Sequence, residues 1–155
     1  MNELVYRNLS EDAKRQICAW KYCGEYDLYN LPAYEEMQVR QIGFMNPQRE
    51  KNYYGFWDES ILVGFVNILE EKEEVFIGIG VNPDLCNKHY GQRMLSITYE
   101  ISKKLYPDKP LYLEVRTWNI RAIKCYQKAG FRIDGQAYEL TTGIGTGTFY
   151  RMIRE

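Results

Sequence analysis

The sequence has few of the residues from which metal sites are built. It contains one histidine, and its four cysteines, at positions 18, 23, 86 and 125, form no Cys-x-x-Cys pair. Structural zinc sites draw their ligands from such pairs and from clustered histidines. We therefore expect no metal, and we interpret the cysteines as reduced thiols of a cytoplasmic protein.

Long apolar runs are also missing. The longest, ILVGFV at 61–66, is far shorter than the roughly 20 residues that a membrane-spanning helix needs. The N-terminal segment MNELVYRNLSEDAKR carries charges where a signal peptide would need an apolar stretch. The sequence therefore predicts no membrane partner and a cytoplasmic location.

An excess of charge of one sign is the third absence. The net charge is -1, and no cluster of Lys and Arg forms a stripe that could follow a phosphate backbone. We therefore expect no nucleic-acid partner. With 155 residues, 45% of them hydrophobic, and no repeats or linkers, the chain is expected to form one domain over residues 1–155.

Apolar periodicity and turn residues predict the order of the elements. The expected strands lie near 4–9, 52–57, 60–69, 74–81, 110–116, 131–140 and 147–154, and the expected helices near 11–20, 32–43, 91–105 and 119–129. Strands first and alternating helices and strands later favour an α/β (α+β) fold. We expect a mixed, mostly antiparallel central sheet of about seven strands, with helices on both faces.

Residues 113–131, LEVRTWNIRAIKCYQKAGF, are the most informative stretch. A strand with one apolar face is followed by Asn119, which can cap a helix through its side-chain oxygen. Gly130 can end that helix in the left-handed conformation. Helical spacing places Ala122 and Tyr126 on the apolar face of the helix, so the phenol is expected to face the sheet.

This pattern of LEVR, Asn119, Ala122, Tyr126 and Gly130-Phe131 resembles the end of the GCN5-related N-acetyltransferase (GNAT) family. A second family element lies upstream at the expected distance, in IGIGVNPDLCNKHYGQRML at 77–95. The family has a strand ending in Val-x-Pro and then a loop of the form Arg/Gln-x-x-Gly-x-Gly/Ala. The present loop, 86–91, keeps only the last glycine of that form.

The resemblance implies acetyl-CoA as co-substrate. The first amides of a helix lack internal partners and suit a phosphate anion, so the loop and the following helix would hold the pyrophosphate. The strands at 74–81 and 110–116 would run parallel and splay apart around the pantetheine arm. The implied coenzyme residues are Ile79, Val81, Cys86, Asn87, Lys88, His89, Tyr90, Gly91, Gln92, Asn119, Ala122 and Tyr126. His89 stands where the family has glycine, and we expect strain in its backbone.

Two residues are candidates for catalysis by resemblance. Tyr126 matches the family tyrosine that protonates the leaving thiolate, although a tyrosine on an apolar helix face can also be a plain core residue. Glu114 has the spacing of a glutamate proposed as base in the ribosomal-protein alanine N-acetyltransferases of this family. The alternative for Glu114 is a solvated glutamate paired with Lys or Arg.

The acceptor is less defined. Aromatic residues interleaved with acids near the N-terminus would suit a cationic amine, or would simply cover the edge of the core. They are Trp20, Tyr22, Tyr26, Tyr29 and Tyr34, with Glu25, Asp27, Glu35 and Glu36. The glycine-rich segment 141–147 is expected to be a mobile hairpin that gates the acceptor cleft or merely turns the chain.

The sequence thus predicts an acetyl-CoA-dependent N-acetyltransferase that acts on a primary amine of a small molecule or of a peptide or protein. One alternative is a ribosomal-protein-type N-terminal alanine acetyltransferase. A contrasting alternative is a non-catalytic acyl-CoA-binding module. A homodimer is compatible with the sequence.

Overall fold

The structure is a computed structural model that describes residues 3–155. The helices are α1 (Glu11–Ala19), α2 (Tyr34–Arg40), α3 (Tyr90–Leu105) and α4 (Ile120–Lys128). The strands are β1 (Val5–Asn8), β2 (Tyr53–Asp58), β3 (Ile61–Glu70), β4 (Val75–Val81), β5 (Leu111–Arg116), β6 (Arg132–Ile133), β7 (Tyr138–Thr142) and β8 (Gly145–Arg154). Short 3-10 turns lie at Gly24–Tyr29, Gly43–Met45, Glu50–Asn52 and Pro83–Leu85.

The strands form one mixed sheet with the order β1-β2-β3-β4-β5-β8-β6, and β7 also pairs with β8. The β4–β5 ladder is parallel, whereas β1–β2, β2–β3 and the pairs made by β8 are antiparallel. The predicted mixed, mostly antiparallel sheet with flanking helices is therefore confirmed. It has eight strands where about seven were expected.

The extra strand arises from an interruption in the predicted strand 131–140. Gly135 adopts a left-handed backbone with φ of 79°, and the amide of Asp134 donates to the carbonyl of Arg151. The chain therefore leaves the edge of β8 after Ile133 and rejoins it at Tyr138. The glycine-rich segment 141–147 is mostly paired, because β7 and β8 run together to Thr142 and Gly145 and leave a two-residue turn.

The chain divides into two compact units. The first comprises the described residues up to Asn67 together with Ile79–Tyr90. Its core packs α1 and α2 on strands, with Ala13, Ile17, Met37, Phe44 and Trp57 all buried. The cap of α1 forms as expected, because the Ser10 hydroxyl accepts a hydrogen bond of 3.1 Å from the amide of Ala13.

The second unit comprises Ile68–Gly78 and Gly91–Glu155. Apolar residues of β5, β8 and α3 form its core, namely Leu111, Leu113, Val115, Met152, Met94 and Leu95. The guanidinium of Arg154 in β8 lies over the ring of Tyr99 in α3 and donates to the carbonyl of Ala129 after α4. Because Arg154 pairs with Leu111, it shares the sheet face of the buried β5 residues. That face therefore carries α3 and α4, and the residues between the buried ones of β5 point to the opposite face.

The prediction of a single domain over 1–155 includes residues 1 and 2, which lie outside the described residues. For the remainder it stays a prediction.

Candidate active site

Helix α4 is fixed at both ends by the residues that the sequence pattern singles out. The buried side chain of Asn119 accepts a hydrogen bond of 3.2 Å from the amide of Ala122. At the other end Gly130 has φ of 96°. The amide of Gly130 donates to the Gln127 carbonyl and that of Phe131 to the Tyr126 carbonyl. This pair of bonds is a Schellman motif, which requires a left-handed residue where Gly130 stands.

Tyr126 occupies the buried side of α4. Ile123 and Ala129, one turn before and one turn after it, are both buried, and Tyr126 itself is half-buried. Three-residue spacing places all three on one helix face, so the expected orientation of the phenol toward the sheet agrees with the burial pattern.

Glu114 lies on the polar face of β5 and is half-buried. The phenol of Tyr138 in β7 donates a hydrogen bond of 2.6 Å to its Oε2. Within residues 3–155 Glu114 forms no ion pair, although Arg151 is its partner in the β5–β8 register. Arg151 pairs instead with Glu74 and, at 3.3 Å, with Asp134. The alternative that Glu114 is half of a surface salt bridge is therefore not supported by the described residues.

Sequence reasoning did not single out Tyr138. Its contact depends on the register of two ladders, because β7 and β5 pair with opposite edges of β8. Burial and the Glu114 carboxylate both raise the pKa of Tyr138 above its usual value. The phenol is therefore a hydrogen-bond donor throughout the physiological pH range. No local sequence signal identifies this pairing.

A second tyrosine–carboxylate pair lies on the same face. Tyr112 neighbours Glu114 on this side of β5, and its phenol donates a bond of 2.7 Å to Glu71. Burial, followed by Glu71, raises the pKa of Tyr112. The guanidinium of Arg151 stacks 4.4 Å from the centre of its ring, and Phe76 meets the ring edge-on. The face therefore carries carboxylates whose partners are phenols and one arginine.

The parallel ladder beside this face is short. It consists of the pairs Val75–Leu111 and Phe76–Tyr112, at the start of each strand. Within the second unit the ladder ends there, although Ile77 and Gly78 continue as strand. The early end of the ladder agrees with the splay that the resemblance implies.

The end of β4 belongs to the first unit and is held from several directions. Ile79 and Val81 are half-buried, and the Val81 carbonyl accepts a bond of 2.7 Å from the phenol of Tyr22. A side chain on Gly80 would run into the ring of Phe65, so packing inside the protein already accounts for this glycine. Asn82 extends the pairing of β4 with β3, because its amide donates to the Val63 carbonyl at 2.8 Å.

The loop before α3 has two non-glycine residues in the left-handed region. They are Asn87, with φ of 66°, and His89, with φ of 65°. The unusual backbone expected at His89 is thus present, and the side chains from Asn87 to His89 are exposed. Cys86 is half-buried, with its sulfur 3.8 Å from the Asn82 carbonyl.

Helix α3 starts at Tyr90, whose phenol donates a bond of 2.6 Å to Asp58. Gly91 and Gln92 follow in its first turn, where backbone amides lack helical partners. Gly91 is buried.

The aromatic residues near the N-terminus have different environments. Tyr34 is buried in the first core and its phenol donates to Glu11. Trp20 packs partly buried against the same core and its ring contacts Phe65. Glu25 and Asp27 are exposed on the 3-10 turn Gly24–Tyr29. Tyr34 and Trp20 therefore fit the core-covering interpretation, and the exposed acids stay available for a cation.

Among residues 3–155, no group of three or more His, Cys, Asp and Glu side chains could hold a metal ion. The same residues contain no helix long and apolar enough to cross a membrane.

Comparison with known proteins gives a family match over most of the chain. Residues 14–131 match the model of the Acetyltransferase (GNAT) family, and this range includes both motifs described above. A probable spermine N(1)-acetyltransferase of Bacillus subtilis subsp. natto (strain BEST195) is 31% identical over 100 residues. The aligned part covers 57% of this chain and 66% of that relative, just under two thirds of its length.

Solved structures share the fold. A SpeG chimera from Vibrio cholerae and hSSAT, described as a spermidine N-acetyltransferase, has a TM-score of 0.78 at 18% identity and covers 99% of this chain and 95% of its own. AAC(6')-Ib, in a complex that contains acetyl-CoA, has a TM-score of 0.73 at 17% identity and covers 99% and 93%.

Proposed function

This chain belongs to the GNAT family of acetyltransferases, and we propose that it transfers the acetyl group of acetyl-CoA to a primary amine, with Glu114 as general base and Tyr126 as general acid. In this reaction Glu114 takes a proton from the ammonium of the acceptor. The neutral amine then attacks the thioester carbonyl, and Tyr126 gives its proton to the departing thiolate. As the amide forms, the nitrogen loses its second proton to solvent, and solvent returns a proton to the Tyr126 phenolate. The new amide bond replaces the thioester bond, and the products are the acetylated amine and free CoA.

The environment of the Glu114 carboxylate is the observation on which this proposal rests. The carboxylate is half-buried, forms no ion pair in the described part of the chain, and is held by a neutral donor, Tyr138. A carboxylate neutralised by a nearby arginine would be a poor proton acceptor, and Arg151 is engaged by Glu74 and Asp134 instead. A general base needs this combination of a fixed position and an available lone pair.

Tyr126 suits the role of the acid because of its chemistry and its support. A tyrosine with an ordinary pKa near 10 remains protonated at neutral pH and can protonate a thiolate. Both ends of α4 are capped, by Asn119 and by the turn at Gly130, so hydrogen bonds hold the backbone that carries the phenol on both sides. Such support helps to position a catalytic group.

The residues of the loop and of the start of α3 fit a coenzyme pyrophosphate in three respects. The first amides of α3 lack helical partners, Gly91 adds no side chain to its first turn, and Lys88 provides an exposed cation. The left-handed backbone at Asn87 and His89 is the conformation that glycines would adopt easily. We propose that this loop and Val81, Asn119 and Ala122 contribute to coenzyme binding. When bound, acetyl-CoA supplies the activated acyl group.

A polyamine is the acceptor that we favour. The relative with 31% identity is described as a probable spermine acetyltransferase. In this chain Glu25 and Asp27 are exposed beside aromatic residues on the 3-10 turn, and such acids attract a substrate with several positive charges. The face of Glu114 carries further carboxylates, Glu71 and Glu74.

The test measures release of free thiol from acetyl-CoA with a panel of acceptors. The panel contains spermine, spermidine, a monoamine of similar length, lysine, and a short peptide that begins with alanine. We expect turnover with the polyamines, with kcat/KM at least about tenfold above the monoamine, because the second charge adds roughly 1 to 2 kcal/mol of attraction.

Other outcomes of this panel have distinct meanings. A clear preference for the alanine peptide would favour the N-terminal alanine acetyltransferase that the position of Glu114 resembles. Coenzyme binding by calorimetry without thiol release for any amine would support the non-catalytic module and overturn the proposed activity. A reaction without acceptor serves as the control for hydrolysis of the thioester.

A further inference from the structure

A hydrogen bond that crosses β8 links two strands that are not neighbours. Tyr138 of β7 pairs with Phe149 on one edge of β8, whereas Glu114 of β5 pairs with Arg151 on the other edge. Phe149 and Arg151 are two residues apart and share one face of the strand. Tyr138 and Glu114 therefore point to the same face, and the phenol reaches over β8 to the carboxylate with an O–O distance of 2.6 Å.

The distance that this contact bridges explains why a side chain as long as tyrosine is needed to fix the position of the Glu114 carboxylate. Neighbouring strands are about 4.8 Å apart, so the backbones of β5 and β7 are separated by roughly twice that distance. A tyrosine is long enough to bridge such a gap, and a shorter hydroxyl side chain is not. The bond uses Oε2 of Glu114 and leaves Oε1 without a bond from Tyr138.

The charged and titratable groups around Glu114 come from five places. Tyr112 and Arg116 are on its own strand, and the Arg116 guanidinium lies over the ring of Phe149. Tyr138 is on β7, Arg151 is on β8, and carboxylates follow β3 and β6. The carboxylates are Glu71, Glu74 and Asp134. Glu74 and Asp134 pair with Arg151, and Glu71 accepts from Tyr112. Tyr138 is thus the donor that holds Glu114 itself.

We propose that Tyr138 is a positioning residue for the reaction: its phenol orients the carboxylate of Glu114 and stabilises it in the charged form that accepts the proton of the amine. This inference rests on the proposed function, in which Glu114 is the general base. It assigns a role to the β7–β8 hairpin beyond the two expected from its glycines, a gate or a plain turn. The raised pKa of Tyr138, caused by burial and by Glu114, agrees with a phenol that remains a donor.

The test compares the pH dependence of kcat/KM in the full-length protein for the wild type, Tyr138→Phe, Glu114→Gln and the double variant. The phenol favours the charged carboxylate that accepts the proton, so kcat/KM of Tyr138→Phe should fall about three- to tenfold at low pH. The loss of rate should therefore be largest at low pH and become small at high pH. In the Glu114→Gln background, Tyr138→Phe should add no further loss.

Tyr112→Phe is the matched control. It removes the other phenol on this face, which bonds to Glu71 and not to Glu114. We expect its kcat/KM at low pH to coincide with that of the wild type. An equal loss in both phenylalanine variants would indicate a general change of the face and would overturn the specific role of Tyr138.

The outcomes separate this inference from the proposed function. If Glu114→Gln lowers kcat/KM at low pH but Tyr138→Phe does not, the base is confirmed and the positioning role is wrong. If Glu114→Gln retains wild-type rates at every pH, the base assignment fails and the role of Tyr138 fails with it. If no amine is acetylated, the carboxyl carbon resonance of Glu114 still reports the contact. Its chemical shift at neutral pH should differ between the wild type and Tyr138→Phe, and an unchanged chemical shift would overturn the inference.

Discussion

The backbone amide of Phe131 donates a hydrogen bond of 3.0 Å to the carbonyl of Tyr126, so the residue after the helix-ending glycine holds the proposed acid in place. The Gly-Phe pair of the motif therefore has a structural purpose. It closes α4 directly behind the residue that carries the phenol. Support and chemistry are encoded in the same short segment.

Removal of the phenolic oxygen of Tyr126 tests its proposed role as general acid. Tyr126→Phe deletes one proton donor and little volume. We expect unchanged coenzyme binding and a fall in kcat of about ten- to a thousandfold. Steady-state kinetics with the best polyamine and calorimetry with acetyl-CoA provide the two measurements. Wild-type kcat in this variant would mean that Tyr126 is a core residue.

Gly130→Ala tests the closure of α4. The alanine would have to adopt φ near 96°, and its Cβ would approach Nε of Arg154 to 2.9 Å. We expect the free energy of unfolding to fall by about 1 to 3 kcal/mol in denaturant titrations. Gly135→Ala has a similar backbone strain in open space, and Gly143→Ala meets nothing within 4 Å. The loss in free energy of unfolding should be largest for Gly130→Ala, smaller for Gly135→Ala and smallest for Gly143→Ala. Equal losses at Gly130 and Gly135 would show that the contact with Arg154 contributes nothing.

The parts of the fold that could be predicted from the sequence depend on local signals. The cap at Asn119, the glycine at the end of α4 and the alternation of β5 each act within a few residues, and the structure has all three. The split of 131–140 into two strands depends on the edge of β8, which local alternation does not reveal.

The candidate site divides in the same way. Glu114 and Tyr126 belong to one contiguous motif, and the sequence pattern alone proposes them as site residues. Tyr138 follows 24 residues after Glu114, in a hairpin whose register places it on the same sheet face. No spacing rule links a phenol on one strand to a carboxylate two strands away, so this partner requires the structure.

Glu114→Gln tests the base. The amide keeps the size of the side chain and can still accept the hydrogen bond of Tyr138, but it cannot take a proton from an ammonium. We expect a loss of kcat/KM of about a hundredfold or more that is largest at low pH, where the amine most needs deprotonation. A variant with normal kinetics and a lower unfolding temperature would favour a structural role for Glu114.

The cluster of Glu11, Lys14, Tyr34 and Glu50 predicts a pH dependence of stability. The hydrogen bond from Tyr34, and then that from Lys14, lowers the pKa of Glu11 below its usual value of 4.5. A depressed carboxyl pKa adds stability above pH 4.5 that is lost as the pH falls through the folded value. Because Glu11 is largely exposed, we expect a contribution of about 1 kcal/mol or less. The free energy of unfolding is measured by urea titration at pH values from above 4.5 down through the folded pKa of Glu11. With falling pH it should decline less for Tyr34→Phe than for the wild type, and an equal decline would contradict the assignment.

The last prediction concerns His89, whose backbone is in the left-handed region. Because glycine adopts this φ without strain, His89→Gly should raise the free energy of unfolding by up to about 1 kcal/mol. It also removes an exposed side chain from the loop proposed to hold the pyrophosphate, so we expect acetyl-CoA to bind about fivefold more tightly. Asn87→Gly is the matched control, with the same backbone angle and no imidazole. Calorimetric titration at two pH values distinguishes strain from ligation. Weaker binding by His89→Gly, together with wild-type binding that strengthens at the lower pH, would make the imidazolium a phosphate contact and contradict the strain account.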